Sequence, residues 1–333
     1  MQHQPRTQVV AVRGLNPTGS VFVAQSICTH VPPRASAPPP PPPSSATPPA
    51  AAHGTQLAQR GTSLVAACGP FTTVDNLLYE PLTELLRHAT QIDADTVVLM
   101  GPFVDVEHSA IKDGSLNVPF DVLMREQVCK RIGAWQADPV NACRRVVVLP
   151  AVRDVTAQPC FPTPPLPMDG TVPDRTSCVQ SPSTFALDGL RVSALSTDVL
   201  LHLSASELWR GPSTDRMAAL ASHVLGQRCF YPLSPPPLGT CLDTAHAASL
   251  RLDEAPDLLL MPSNLAPFAK LLNTAPEGLP PGCAPPTGTD TAAAGSADGR
   301  LSKGVSGGTF AHVVVAPGDG PAHCRTRVDI RRL

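Results

Sequence analysis

Few side chains in this sequence stand where they could do chemistry together, and each candidate has a plainer reading. Cys68 ends the apolar run SLVAAC, a position from which a thiolate could attack. No histidine or helix-cap arrangement beside it would lower its pKa, so a packed thiol is favoured. Asp105 and His108 are close enough in sequence to share a metal ion, but His108 reads more simply as a surface-loop histidine. Ser263 follows a buried-type run without the G-x-S-x-G elbow that would expose a nucleophile. Gly307-Gly308 within KGVSGG lacks the GK[ST] ending of a phosphate loop, and a tight turn into a strand explains it. The ten cysteines are never closer than twelve positions, with no CxxC or Cys/His cluster at zinc-ligand spacing.

Composition narrows what can position such residues. The 333 residues carry 25 Lys+Arg against 27 Asp+Glu, a net charge of −2 that offers no electrostatic grip on a nucleic-acid backbone. Thirteen aromatics are too few for a base-stacking platform. Forty prolines, each removing a backbone donor and blocking helix interiors, exclude a coiled coil, a helical bundle and a helical solenoid. No apolar run approaches the roughly 18 residues needed to cross a bilayer. The opening MQHQPRTQVVAVRG lacks a secretory h-region, so the expectation is a soluble protein of a reducing compartment with no membrane contact.

Local patterning predicts the elements. Gln8–Ile27 has a short β pattern, VVAV then VFVA, around a Gly-Leu-Asn-Pro-Thr-Gly turn. Val31 to Arg60 is Pro/Ala/Ser-rich with six consecutive prolines, and is expected to be a disordered linker. SLVAAC (63–68), TVVLM (96–100) and VVVL (146–149) read as strands buried on both faces. Between them, apolar residues recur at helical spacing over 77–89 and 120–132. This βαβαβ order specifies a parallel sheet covered on both faces. Thr184–Leu195 reads as a hairpin through Asp188-Gly189, residues 217–225 as a helix, and Asp257–Met261 as another buried strand. Gly308–Val315 and Thr326–Ile330 supply late antiparallel strands, and 275–304 is expected to be a mobile loop.

Ligands in open α/β sheets sit beyond the carboxyl ends of the strands. Those ends here are Cys68-Gly69-Pro70-Phe71, Gly101-Pro102-Phe103-Val104-Asp105, Pro150-Ala151-Val152-Arg153-Asp154 and Pro262-Ser263-Asn264-Leu265. Their arrangement resembles a calcineurin-like phosphoesterase, whose D-x-H, G-D-x-x-D, G-N-H-D/E and G-H-x-H motifs hold two metals. By that resemblance Cys68 and Pro70 replace the first Asp and His. Pro102 replaces the second-motif Asp while Asp105 remains, and Arg153 with Asp154 stands in the third. The wording ACGPFTTVDNLLYEPL (67–82), VVLMGPFVDVEHSAI (97–111), VVVLPAVRDVTAQPCFP (146–162), LSTDVLLHLSASEL (195–208), QRCFYPLSPPP (227–237) and KGVSGGTFA (303–311) is similar to the B-type accessory chain of DNA polymerase alpha.

That resemblance implies an α/β fold: a calcineurin-like mixed β-sheet sandwich flanked by helices and preceded by a remnant of an OB fold. The domains would be 1–30 as the remnant, 31–60 as the linker and 61–333 as an inactive phosphoesterase-like domain. It implies no catalytic, cofactor or metal residues. The expected role is a nuclear, non-catalytic scaffold of DNA polymerase alpha–primase. It would bind the zinc-containing C-terminal domain of the catalytic subunit directly, and primase and DNA through the complex. Competing readings are a metal-dependent phosphoesterase or nuclease, and the corresponding accessory chain of the delta or epsilon polymerase. Phe71, Phe103, Phe230 and Tyr231, beside prolines or glycines in loops, are the candidate partner contacts, with burial in the core as the alternative reading for each.

Overall fold

The computed structural model describes residues 4–5, 9–28, 61–168, 172, 174–208, 215–273, 290–297, 308–318 and 322–333. The linker expected over 31–60 lies outside them. Strand β1 (Gln4–Pro5) precedes a hairpin of β2 (Ala11–Leu15) and β3 (Val23–Cys28). Then come β4 (Thr62–Cys68), helix α1 (Glu80–Gln91), β5 (Thr96–Met100) and the one-turn α2 (Ser109–Lys112). Helix α3 is a continuous rod of Phe120–Leu123, a π-helical Met124–Cys129 and Lys130–Ala137. It leads to β6 (Arg145–Leu149), β7 (Thr176–Cys178), β8 (Ser183–Leu187) and β9 (Leu190–Ala194). Beyond these come α4 (Val199–Ser206), β10 (Glu207–Leu208), α5 (Arg216–Gly226), a 3-10 turn (Thr244–Leu250), β11 (Leu258–Ser263), β12 (Phe268–Asn273), β13 (Asp290–Ala297), β14 (Thr309–Val315), a single helical turn (Ala322–Arg325) and β15 (Thr326–Arg332).

Two sheets result. The larger has the order β15-β14-β4-β5-β6-β7, with β4 to β7 parallel and β14 and β15 antiparallel. The smaller has the order β12-β13-β11-β9-β8, parallel at its centre and antiparallel at both edges. Because strand side chains alternate between faces, each central strand feeds two cores. Leu64, Ala66, Val98, Met100, Val147 and Leu149 of the large sheet meet Leu190, Val192, Ala194, Leu258 and Leu260 of the small one. Val65, Ala67, Val97, Leu99, Val146 and Val148 turn the other way, onto Leu82, Leu85 and Leu86 of α1 and Val128 and Ile132 of α3. Leu259 and Met261 pack on Leu200 and Leu203 of α4 and Leu220, Val224 and Leu225 of α5. The layers therefore run helix, sheet, sheet, helix.

The turn joining β8 to β9 also ties the sheets together. Asp188 and Gly189 both have positive φ (49° and 85°), the backbone of a two-residue hairpin turn. That conformation presents the Asp188 carboxylate to the Thr62 hydroxyl (3.1 Å) and the Arg145 guanidinium of the large sheet.

Three expectations change. Helix α1 starts at Glu80 rather than Leu77, because Tyr79 adopts a left-handed backbone (φ 54°) and Pro81 opens the first turn. The loop expected over 275–304 contains β13, hydrogen-bonded between β11 and β12; its sequence DTAAAGSA has no apolar alternation to announce a strand. His108 is buried rather than a surface-loop residue: its Nδ1 accepts from Ala110 N and caps α2, while Nε2 meets Thr73 O at 3.1 Å.

The N-terminal strands follow the pattern read from sequence and pair as an antiparallel hairpin with an irregularity at Arg13/Gly14. A Cβ on Gly14 would fall 2.2 Å from Val23 O, so only glycine fits there. The Gln227 side chain holds this segment at both polar groups of Val9 (3.0 and 3.1 Å).

Candidate functional site

The carboxyl ends of β4, β5, β6, β9 and β11 converge on one cavity of about 320 Å³. Cys68, Pro102 and Arg153 line one side, and Asp198, His202 and Ser263 the other. The approach of the strand ends is set by glycine. A Cβ on Gly69 would stand 1.9 Å from Pro102 O, and one on Gly101 2.3 Å from Asp154 Oδ2. Both glycines precede cis prolines, Pro70 and Pro102.

Asp154 is the most enclosed ionisable group here. Its Oδ2 accepts Ala151 N (2.8 Å), and its Oδ1 accepts Val104 N (3.0 Å) and Phe103 N. The carboxylate thus cross-links the loop after β6 to the loop after β5. Burial pushes its pKa up to about 7, with the three backbone donors pulling the other way. Asp105, 5% exposed, is held by Arg153 through Nε (3.1 Å) and Nη2, and accepts Glu107 N at 3.1 Å. Cys68 is buried, its thiol donating to Gly101 O at 3.1 Å, as the packed-thiol reading expected.

The opposite wall rests on Asp198, which sequence reasoning did not single out. It caps α4 through Leu201 N (2.9 Å) and accepts the Ser263 hydroxyl and Asn264 N, both at 2.7 Å. Ser263 is therefore a support for the loop after β11. His202 Nδ1 pairs with the Tyr231 hydroxyl at 2.9 Å, and burial lowers its pKa. An aspartate immediately before the apolar run VLLHL was the available signal for the cap.

What can this arrangement do? Two metals about 3.5–4 Å apart require a dense cage of free carboxylates and imidazoles. Asp105 and Asp154 already serve Arg153 and the backbone, and Arg153 puts a cation between the loops. Among the described residues no group of three or more His, Cys, Asp or Glu could hold a metal ion. The donor set does not fit a metal pair, so no reaction step is derived through one. Among those residues, too, no helix is long and apolar enough to cross a membrane.

The expected partner contacts need correction. Phe71 and Phe103 are fully buried and stack at 5.2 Å between centroids in the core under α1 and α3. Phe230 and Tyr231 lie in the core under α4 and α5. Each follows a loop-like stretch of sequence, yet its side chain turns inward and offers no contact surface.

The fold and site thus define a layered α/β protein whose strand-end loops are locked by internal polar contacts. Comparison with known proteins places it further. A family model for the B subunits of DNA polymerases alpha and epsilon matches residues 64–270, and the chain belongs to that family. It is 30% identical over 258 residues to the DNA polymerase alpha B subunit of Mus musculus, covering 76% of this chain and 39% of the relative. The proteins of the same name from Schizosaccharomyces pombe and Drosophila melanogaster are 30% and 31% identical over 329 and 315 residues. Each match covers 93% of this chain, and 51% and 44% of those relatives. The chain therefore spans two-fifths to one-half of the relatives' length.

Proposed function

We infer that this chain is a non-catalytic accessory subunit of DNA polymerase alpha–primase, acting in the nucleus as a scaffold for the C-terminal domain of the catalytic subunit. Primase and DNA are reached through that complex. The observation that carries the reading is the strand-end site: its two remaining acidic positions are occupied by Arg153 and backbone N–H groups. Family membership supplies the polymerase context.

The two sheets between helix layers suit a calcineurin-like phosphoesterase sandwich over 61–333 that has lost its metals. The β2–β3 hairpin suits the end of an OB fold, since Val12, Leu15, Val23 and Ile27 are exposed on two strands too few to bury them. A metal-dependent phosphoesterase would need free ligands where Pro70, Pro102 and Arg153 stand. The named relatives favour alpha over the delta and epsilon polymerases.

The test is a pull-down with the C-terminal domain of the polymerase alpha catalytic subunit, using this chain alone and extended by a complete OB fold. Retention in about 0.5 M salt, where exposed ion pairs are screened, is the expected result. Recovery of nothing with either form ends the scaffold reading.

A further inference from the structure

The buried aromatics leave open which surface would meet a partner, and the loops beside them supply a candidate. The loop after β4 and the segment after β5 are stitched together by His108 Nε2 to Thr73 O (3.1 Å), Ser109 Oγ to Val74 O (3.5 Å) and Tyr79 Oη to Phe103 O (2.9 Å). On this frame Val74 is 62% exposed, Leu78 55%, and Val106, Val118 and Phe120 about two-fifths. Leu77, Ile111 and Leu116 from the same two segments pack into the core beneath, which anchors the loops.

The charge around these apolar residues is predominantly negative. Residues 72–80 and 106–121 contain Asp75, Glu80, Glu107, Asp113 and Asp121 against Lys112 alone, so five carboxylates less one lysine give −4. The whole chain carries only −2. Lys112 is engaged by Glu107 at 3.1 Å, whereas Asp75, Glu80, Asp113 and Asp121 have no ion pair among the described residues. Of the cations on the adjoining helix, Arg125, one turn beyond Asp121, pairs with Glu126 at 3.6 Å, and Arg131 has its guanidinium on Leu78 O, Thr83 and Gln127. An apolar centre with unpaired acids around it repels a phosphate backbone and complements a protein segment of the opposite sign.

We propose that the Val74–Leu78–Val106 surface is where this chain docks a protein segment carrying aliphatic side chains flanked by Lys or Arg, and that the segment belongs to its polymerase partner. The proposal rests on the scaffold reading above. The apolar centre carries the affinity, and the acidic surround sets the association rate and excludes DNA.

Binding of the full chain to the catalytic subunit's C-terminal domain tests it, with Val74→Ser/Leu78→Ser, Asp75→Lys/Asp113→Lys and a remote Leu238→Ser control. All five side chains lie on the surface, so the variants keep the wild-type melting curve. The apolar double variant weakens binding roughly tenfold, a typical loss for anchor side chains. The charge variant slows association at low salt and loses that effect near about 0.5 M. Leu238→Ser changes nothing. Wild-type affinity in Val74→Ser/Leu78→Ser overturns the docking surface and leaves the scaffold reading standing. No binding by wild type, even with the OB fold completed, overturns both. Protection of 73–80 from hydrogen exchange by single-stranded DNA instead of the protein domain also overturns the proposal.

Discussion

Asp154 shows how a buried carboxylate at a strand end can join two loops. Its three backbone contacts join two loops, and burial raises its pKa to about 7. The unfolded chain releases that proton at about 3.9. Between those values the native state holds more protons than the unfolded one, so this group's contribution to stability falls as pH rises. Wild type therefore loses ground to Asp154→Asn, a mimic of the neutral acid, as pH climbs from about 4 to about 7. Urea unfolding of both proteins at several pH values checks the slope; a wild-type advantage that grows with pH would refute it. Residue types marked Asp105 and Asp154 as strand-end positions. They did not show what Asp154 and Asp105 hold, because those partners are backbone groups and an arginine 48 positions away. Residue types leave Phe71 and Phe103 open between contact and core, and put His108 on the surface, for a related reason: their neighbours are loop-forming, and burial of a loop side chain is decided by distant elements.

At the scale of elements, what local pattern carries was legible. Strands β4, β5 and β6 are covered on both faces and so appear as unbroken apolar runs. The turn at Asp188-Gly189 was readable from residue type alone. Strand β13 was not, because its place comes from two flanking strands rather than from its own small residues. The close loop crossing at the site was half legible: Gly-Pro marks the strand ends, but only the structure shows that Gly69 touches Pro102 O. Gly69→Ala must displace backbone, a cost of about 1–3 kcal/mol for overpacking. Its midpoint should fall by several degrees in a thermal melt, while Gly239→Ala, where a Cβ meets nothing within 4 Å, carries only the strain of its φ of 88°. Equal losses at both positions would mean that the loop after β5 yields to the added methyl and that crowding at Gly69 costs little.

For the whole molecule, the connectivity of the cores matters more than any one contact. The sandwich from β4 onward shares a continuous inter-sheet core, whereas the β2–β3 hairpin leaves Val12, Leu15, Val23 and Ile27 exposed and is held at Val9 by Gln227. Few buried contacts mean a low free energy of local opening, so hairpin and sandwich should open separately. Leu149→Ala empties a fully buried position between the sheets and should cost about 2–5 kcal/mol, shifting the main unfolding transition. Gln227 is half-buried at the C-terminal end of α5, and Gln227→Ala removes both contacts to Val9. That change should leave the transition within about a degree while speeding limited proteolysis within residues 9–28, because cleavage follows the population of the open form. Melting and protease digestion of the two variants side by side measure both quantities. If Gln227→Ala lowers the main transition as Leu149→Ala does, the hairpin belongs to the same cooperative unit, and its separate assignment as the remnant of another domain falls.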